Sequence, residues 1–132
     1  VKVVVDTGII FSSLLSKSAE QRKIFFNKEY KFYSPNFVFL EIFKHKEKIL
    51  KHTKTSEVEV YEYLIAVLQR IHFINEEIVS VENRSAAYEL CKDVDKNDTP
   101  FVALALELGA CLWSSDKKLI KGLKEKGFNR FF

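Results

Sequence analysis

Apolar residues along the chain fall into short unbroken runs separated by longer stretches with helical spacing. Val3, Val4 and Val5 form a β-branched run that stops at Asp6, the pattern of a strand buried on both faces. Gly8 is expected in the following turn, and residues 9–15 read as a helix. Residues 19–27 read as a second helix with Ile24, Phe25 and Phe26 inward. Residues 31–34 read as a short strand closed by Pro35. Asn36 is expected to cap a helix running to about residue 50, its core face made of Phe39, Ile42, Phe43, Ile49 and Leu50. Thr55 or Ser56 starts a longer helix to about residue 70, with Val60, Leu64, Val67 and Ile71 at helical spacing. Residues 71–74 suit a strand, and a helix from Val81 or Asn83 to Lys92 follows.

The segment "DTPFVALALELGACLWSSD" is the most apolar of the chain and carries an acid at each end. Asp98 reads as an N-cap with Pro100 in the first turn, residues 101–108 as a buried helix, and Gly109 as its stop. Residues 111–114 read as a strand. Asp116 caps a last amphipathic helix with Leu119, Ile120 and Leu123 inward; Gly127 ends it, and residues 128–132 are expected to add an edge strand. Strands alternating with helices predict an α/β domain with a largely parallel sheet.

At 132 residues, with 47% apolar and 30% charged residues, the chain has the length and composition of one globular domain. The net charge of +3 is compatible with an anionic partner and excludes nothing. Cys91 and Cys111 lie in apolar surroundings without metal-ligand spacing, which suggests reduced core thiols and a cytoplasmic protein. No apolar run approaches the ~20 residues of a membrane span, and the run before Asp6 is too short for a signal peptide.

In open α/β sheets, functional groups gather at the carboxyl ends of strands. Asp6 ends the first predicted strand, Asp98 precedes the buried helix, and Asp116 follows the last strand. Each has a structural alternative: Asp98 and Asp116 as helix caps, Asp6 as a turn residue. Glu41 interrupts the apolar run "PNFVFLEIFKHKEKIL"; it is either a boundary residue paired with Lys44 or Lys48, or a fourth acid of the same cleft. Carboxylates held close together repel, so a cluster of them calls for a cation. Oxygen-only ligands suit Mg²⁺ or Mn²⁺, and an ion so held activates water and stabilises charge on a phosphoryl group.

These segments resemble those of PIN-domain ribonucleases. "VVVDTGIIFSSLL" is similar to the family's opening strand and turn, "FVFLEIFKH" to the helix bearing its second acid, and "DTPFVALALELGACLWSSD" to its most telling segment. The resemblance implies a single PIN-like domain over residues 1–132, built as a three-layer α/β/α sandwich around a mostly parallel sheet. It implies Asp6, Glu41, Asp98 and Asp116 as catalytic acids, with Asp6, Asp98 and Asp116 holding Mg²⁺ or Mn²⁺, and Ser114 as the accompanying hydroxyl. It further implies cleavage of single-stranded RNA, and, as in many small members, a toxin with a small antitoxin protein as partner. Homodimers are common in the family; the helix of Tyr61 and Tyr63 is a candidate interface.

Two points stay open at this level. Asp95 lies one helical turn before Asp98 and either joins or replaces it, although the offset of Asp98 to Ala103 and Ala105 fits better. The family often has Asn two residues after its first Asp, where this chain has Gly8. The basic stretch "KHKEKILKHTK" and Lys117, Lys118 and Lys121 are candidates for RNA phosphate contacts or, alternatively, solvated helix faces. His45 and His52 read as surface residues. Two competing functions are an inactive PIN-like binding module and a phosphoacceptor receiver domain; the latter wants paired acids near the first strand, and Asp6 has no acidic neighbour.

Overall fold

A computed structural model describes residues 1–15, 19–52 and 56–132. The alternative helix start at Thr55, and Thr53 and Lys54 of the basic stretch, lie outside them.

Four strands, β1 (Lys2–Val5), β2 (Lys31–Pro35), β3 (Ile71–Ile74) and β4 (Cys111–Trp113), form one sheet in the order β3-β2-β1-β4, with every pairing parallel. Strand β1 is central, and Val3, Val4 and Val5 are fully buried, as an uninterrupted apolar run requires. The helices are α1 (Thr7–Leu15), α2 (Ala19–Phe25), α3 (Val38–His52), α4 (Glu57–Gln69), α5 (Val81–Cys91), α6 (Thr99–Leu108) and α7 (Lys117–Glu125).

Alternate residues of β2 show the two faces of the sheet. Phe32 points toward Phe25 of α2 and Trp113 of β4, with ring centroids 5.2 and 6.0 Å away. Pro35, of opposite parity, faces Ala103 and Leu104 of α6. Helices α1 to α4 therefore belong to one outer layer and α5 to α7 to the other, with α6 along the middle of the sheet. This is the expected α/β/α sandwich. The five buried residues from Phe101 to Ala105 explain why α6 is apolar nearly all round. Gly109, at φ 63°, supplies the left-handed turn that ends it.

The structure corrects several readings. Gly8 lies in the first turn of α1, not in a turn before it, because Asp6 itself caps the helix through the Ile9 amide. On α3 the buried residues are Val38, Ile42 and Ile49, whereas Phe39 and Phe43 are 37% and 65% exposed. Positions 38, 42 and 49 lie on one side of a helix, and Phe43 is turned a further ~100° from Ile42. Phe39 stacks instead on Phe73 of β3, with centroids 4.0 Å apart. Phe26 follows the end of α2 and is exposed. The expected last strand is reduced to one bridge, Leu112 to Phe131, although the Leu112 amide and carbonyl bond Arg130 and Phe132 on either side. Both cysteines are free, and burial pushes the Cys91 thiol up to about 11. Among the described residues, no helix is long and apolar enough to cross a membrane.

Candidate active site at the carboxyl end of the sheet

The chain runs from β1 outward through β2 to β3, then returns to place β4 on the other side of β1. The carboxyl ends of β1 and β4 thus flank a topological switch point, where open α/β sheets bind ligands. Asp6 follows β1 and Asp116 follows β4, and the Asp6 amide donates to the Trp113 carbonyl at 3.2 Å. Asp6, one residue past β1, and Asp116, three residues past β4, are therefore carried to one rim.

Asp6 is 8% exposed, and its Oδ1 accepts the Ile9 amide at 2.9 Å. Burial raises its pKa; the Ser114 hydroxyl and the Ile9 amide oppose that rise, and the Asp116 charge adds to it. Asp116 is exposed and caps α7 as expected, with Oδ1 accepting the amides of Lys118 and Leu119 at 3.0 and 3.1 Å. Ser114 Oγ accepts the Asp116 amide at 3.1 Å and so links the two acids. A hydroxyl both accepts and donates, which suits it to that position.

Asp98 is not the capping residue that its place before α6 suggests. Its backbone is helical, φ −86° and ψ −3°, and its side chain makes no capping bond. A cap needs extended backbone so that the side chain can turn back on the helix. Asp98 instead ends a short 3-10 turn, Lys96–Asp98, which Asp95 caps by accepting the Asn97 amide at 3.0 Å. The partly buried Asp98 carboxyl is pushed up to about 6, first by burial and then by the charges of Asp95, Asp6 and Asp116. The fold brings Asp6, Asp98 and Asp116 within electrostatic reach of one another.

Glu41 stands in the first turn of α3, and its carboxylate lies 3.5 Å from Nε2 of His45 rather than against Lys44 or Lys48. Its charge is not among those acting on Asp98 or Asp6. His45 is half-exposed, with its ring edge-on to Phe11. Lys117, Lys118 and Lys121 are exposed on the first turns of α7, and Lys44, Lys46, Lys48 and Lys51 on α3.

Two contributors escape the sequence reading. Ser34 is fully buried and donates its hydroxyl to the Val5 carbonyl, fixing the end of β1 just before Asp6. A hydroxyl at the end of an aromatic strand, before Pro35, was the available signal. Ser115 faces Gly8: a Cβ built at Gly8 would lie 3.8 Å from Ser115 Oγ and 3.5 Å from Asp6 Oδ1, both ordinary contacts.

Among the described residues, no lysine, arginine or histidine forms an ion pair with Asp6, Asp98 or Asp116. Nor do any three carboxylate, imidazole or thiol groups stand close enough to cage an ion by themselves. The donor set fits a hard cation held through one or two carboxylates, with water completing its shell, which is how magnesium is commonly bound. It does not fit an ion enclosed wholly by protein.

A family model for the PIN domain matches residues 4–131. The chain belongs to the PIN-domain family. No curated protein matches the sequence. PIN domains are generally metal-dependent nucleases, and the acid rim of this PIN domain lies at the switch point where open α/β sheets bind ligands.

Proposed function

We propose that this PIN domain is an endoribonuclease that hydrolyses phosphodiester bonds of single-stranded RNA with Mg²⁺ or Mn²⁺. In this reading Asp6, Asp98 and Asp116 are the metal-binding acids, one or two of them bound directly and the rest through water, and Glu41 is a fourth catalytic acid. The observation that carries it is that Asp6 and Asp116 follow the neighbouring strands β1 and β4, with Asp98 in electrostatic reach of both and none of the three in an ion pair among the described residues.

The residues divide the work. The Ile9 amide and Ser114 hold Asp6 against the end of β1. Asp116 gives one oxygen, Oδ1, to the amides of α7 and keeps the other for the ion. Asp98 has no amide to satisfy, so its whole carboxylate serves the cleft. Held by these residues, a divalent ion would neutralise their charges, make water more acidic and stabilise charge on the phosphoryl group. Lys117, Lys118 and Lys121 flank Asp116, where they draw in the RNA backbone without reading sequence. Two free thiols agree with a cytoplasmic location.

The family context supports the toxin half of a toxin–antitoxin pair, with a small antitoxin as partner. On α4 the exposed Val58 and Ile65, with the partly buried Tyr61 between them on the same face, support a homodimer or partner contact there. Tyr63 does not belong to it, since the Arg22 guanidinium covers its ring at 4.3 Å.

The test is cleavage of an unstructured RNA with and without metal. Internal cuts in Mn²⁺ that stop on adding EDTA are expected. Cutting that persists in excess EDTA overturns the metal role. RNA binding without any cutting in Mn²⁺ or Mg²⁺ makes the chain a binding module instead.

A further inference from the structure

Next to the acid rim, on the α6 side of the sheet, lies a cavity of about 370 Å³. That is within the ~300–1,000 Å³ usual for small-ligand pockets. Its floor is apolar: Pro35 and Ile74 at the ends of β2 and β3, and Ala103 and Leu104 of α6. Thr99 and Pro100 form the wall nearest the acids, directly after Asp98 in the chain. The cavity thus begins one residue after Asp98 of the proposed cleavage site.

Its mouth is built differently. Glu76 and Glu77 lie on a 3-10 turn, Glu76–Ile78, after β3. Arg84 of α5 fastens that turn, with Nη2 donating to the Glu76 and Glu77 carbonyls at 3.1 and 3.2 Å. The Asn75 side chain accepts the Glu77 amide at 3.0 Å. The backbone of the turn is therefore fixed beside the cavity, and its two glutamates are exposed there.

This chemistry selects an occupant. Two carboxylates at the mouth repel a phosphate. Apolar walls with two proline rings, Pro35 and Pro100, suit a planar ring. Ionised carboxylates only accept hydrogen bonds. Among the bases, guanine offers two adjacent donors, N1–H and the N2 amino group, to one carboxylate, and its O6 accepts from a guanidinium such as Arg84. Proteins that read single-stranded RNA take unstacked bases into such pockets by their Watson–Crick edge.

We propose that this cavity binds a guanine base of the RNA strand next to the scissile phosphate, and so sets a guanine preference for cleavage. The proposal rests on the ribonuclease reading of the acid site. Its test is chosen to be independent of cleavage.

Methyl and amide NMR signals of the full chain are followed while guanosine, adenosine, cytidine or uridine is added in metal-free buffer. Nucleosides carry no phosphate, so lysines do not attract them. Guanosine is expected to shift Val79, Ala103 and Leu104, and to bind about tenfold more tightly than adenosine, the discrimination typical of a bidentate pair. The exposed double variant Glu76→Gln/Glu77→Gln keeps the fold, and is expected to lose that preference. No shift at these residues with any nucleoside at millimolar concentration overturns the pocket. An equal or reversed preference, or one unchanged in the double variant, overturns its specificity. Absence of RNA cleavage by a protein that still binds guanosine counts against the ribonuclease reading alone.

Discussion

Replacing Asp98 with Asn removes one charge from the acid rim, and the consequence for stability is readable without substrate or metal. Asp98 titrates near 6 in the folded chain against an ordinary value of 3.8. A tenfold change in proton affinity is worth about 1.4 kcal/mol, which puts the ceiling of the effect at about 3 kcal/mol. The carboxyl is only half-buried, so solvent and salt screening reduce this to about 1–2 kcal/mol. The sign follows from linkage. A carboxyl whose folded pKa is raised favours the folded state while protonated, and that stabilisation is lost as pH rises through the folded value. Wild-type, metal-free protein therefore carries a penalty at pH 7 that is absent below pH ~4.

Asp98→Asn should be the more stable protein at pH 7 by about 1–2 kcal/mol, a rise in Tm of roughly 3–8 °C for a domain of this size. The difference should shrink between pH 7 and pH 4 and be close to zero at the lower end. Thermal or urea unfolding in EDTA across that range measures it. Mg²⁺ should then stabilise the wild type more than the variant, because a ligand stabilises the state that binds it. A variant that is less stable than wild type by the same amount at every pH refutes the reasoning. It would mean that the Asp98 side chain makes a favourable contact that does not depend on its charge.

Glu41→Gln keeps shape and removes charge at an exposed contact with His45, so the fold should melt within about 0.5 kcal/mol of wild type. Cleavage should be lost; cutting at the wild-type rate makes Glu41 a surface partner of His45 and nothing more. Gly8→Asn restores an amide beside Asp6 where the built Cβ meets only ordinary contacts. It should leave Tm unchanged or slightly raised, since Asn has the better helix propensity by a few tenths of a kcal/mol, and a loss above about 1 kcal/mol, read by thermal unfolding, would show that the open space at Gly8 is needed.

The elements easiest to read from sequence are those whose signals agree across levels. β1 is an unbroken valine run, and Ile71–Ile74 is read to the residue. α7 begins at an aspartate that does cap it, and α6 ends at a glycine in the left-handed region. Helix α3 shows the limit. Its aromatic residues attract a core assignment by hydrophobicity, yet a rotation of one position moves a side chain by ~100°. The error that turned Phe39 and Phe43 inward also decides where Glu41 points, which is why sequence leaves Glu41 between surface and site. Asp6 and Asp116 are legible as strand-end acids, but their meeting depends on β4 lying beside β1. Strand order is a long-range property that no local spacing encodes. The PIN-like pattern supplied it, and the parallel register of Val5 with Trp113 accounts for it physically.

The contrast between Asp6 and Asp98 explains why one acid of the rim carries so large a shift, and it settles how Asp95 should behave. Asp6 is deeply buried but has two donors, the Ile9 amide and the Ser114 hydroxyl, acting against the rise. Asp98 has no such donor, and three like charges add to its burial. Asp95 is the largest of these charges, while its own oxygen is engaged with the Asn97 amide. Asp95→Asn keeps that bond, because an amide oxygen also caps. It should lower the folded pKa of Asp98 toward the ordinary range, and thereby move the pH-dependent loss of metal-free stability to lower pH. A carboxyl-carbon NMR titration of Asp98 in EDTA reads the shift directly. Cleavage should survive in Asp95→Asn and be lost in Asp98→Asn. An Asp98 titration that does not move refutes the charge coupling to Asp95; if Asp95→Asn abolishes cleavage while Asp98→Asn does not, then Asp95 holds the metal and Asp98 is its neighbour.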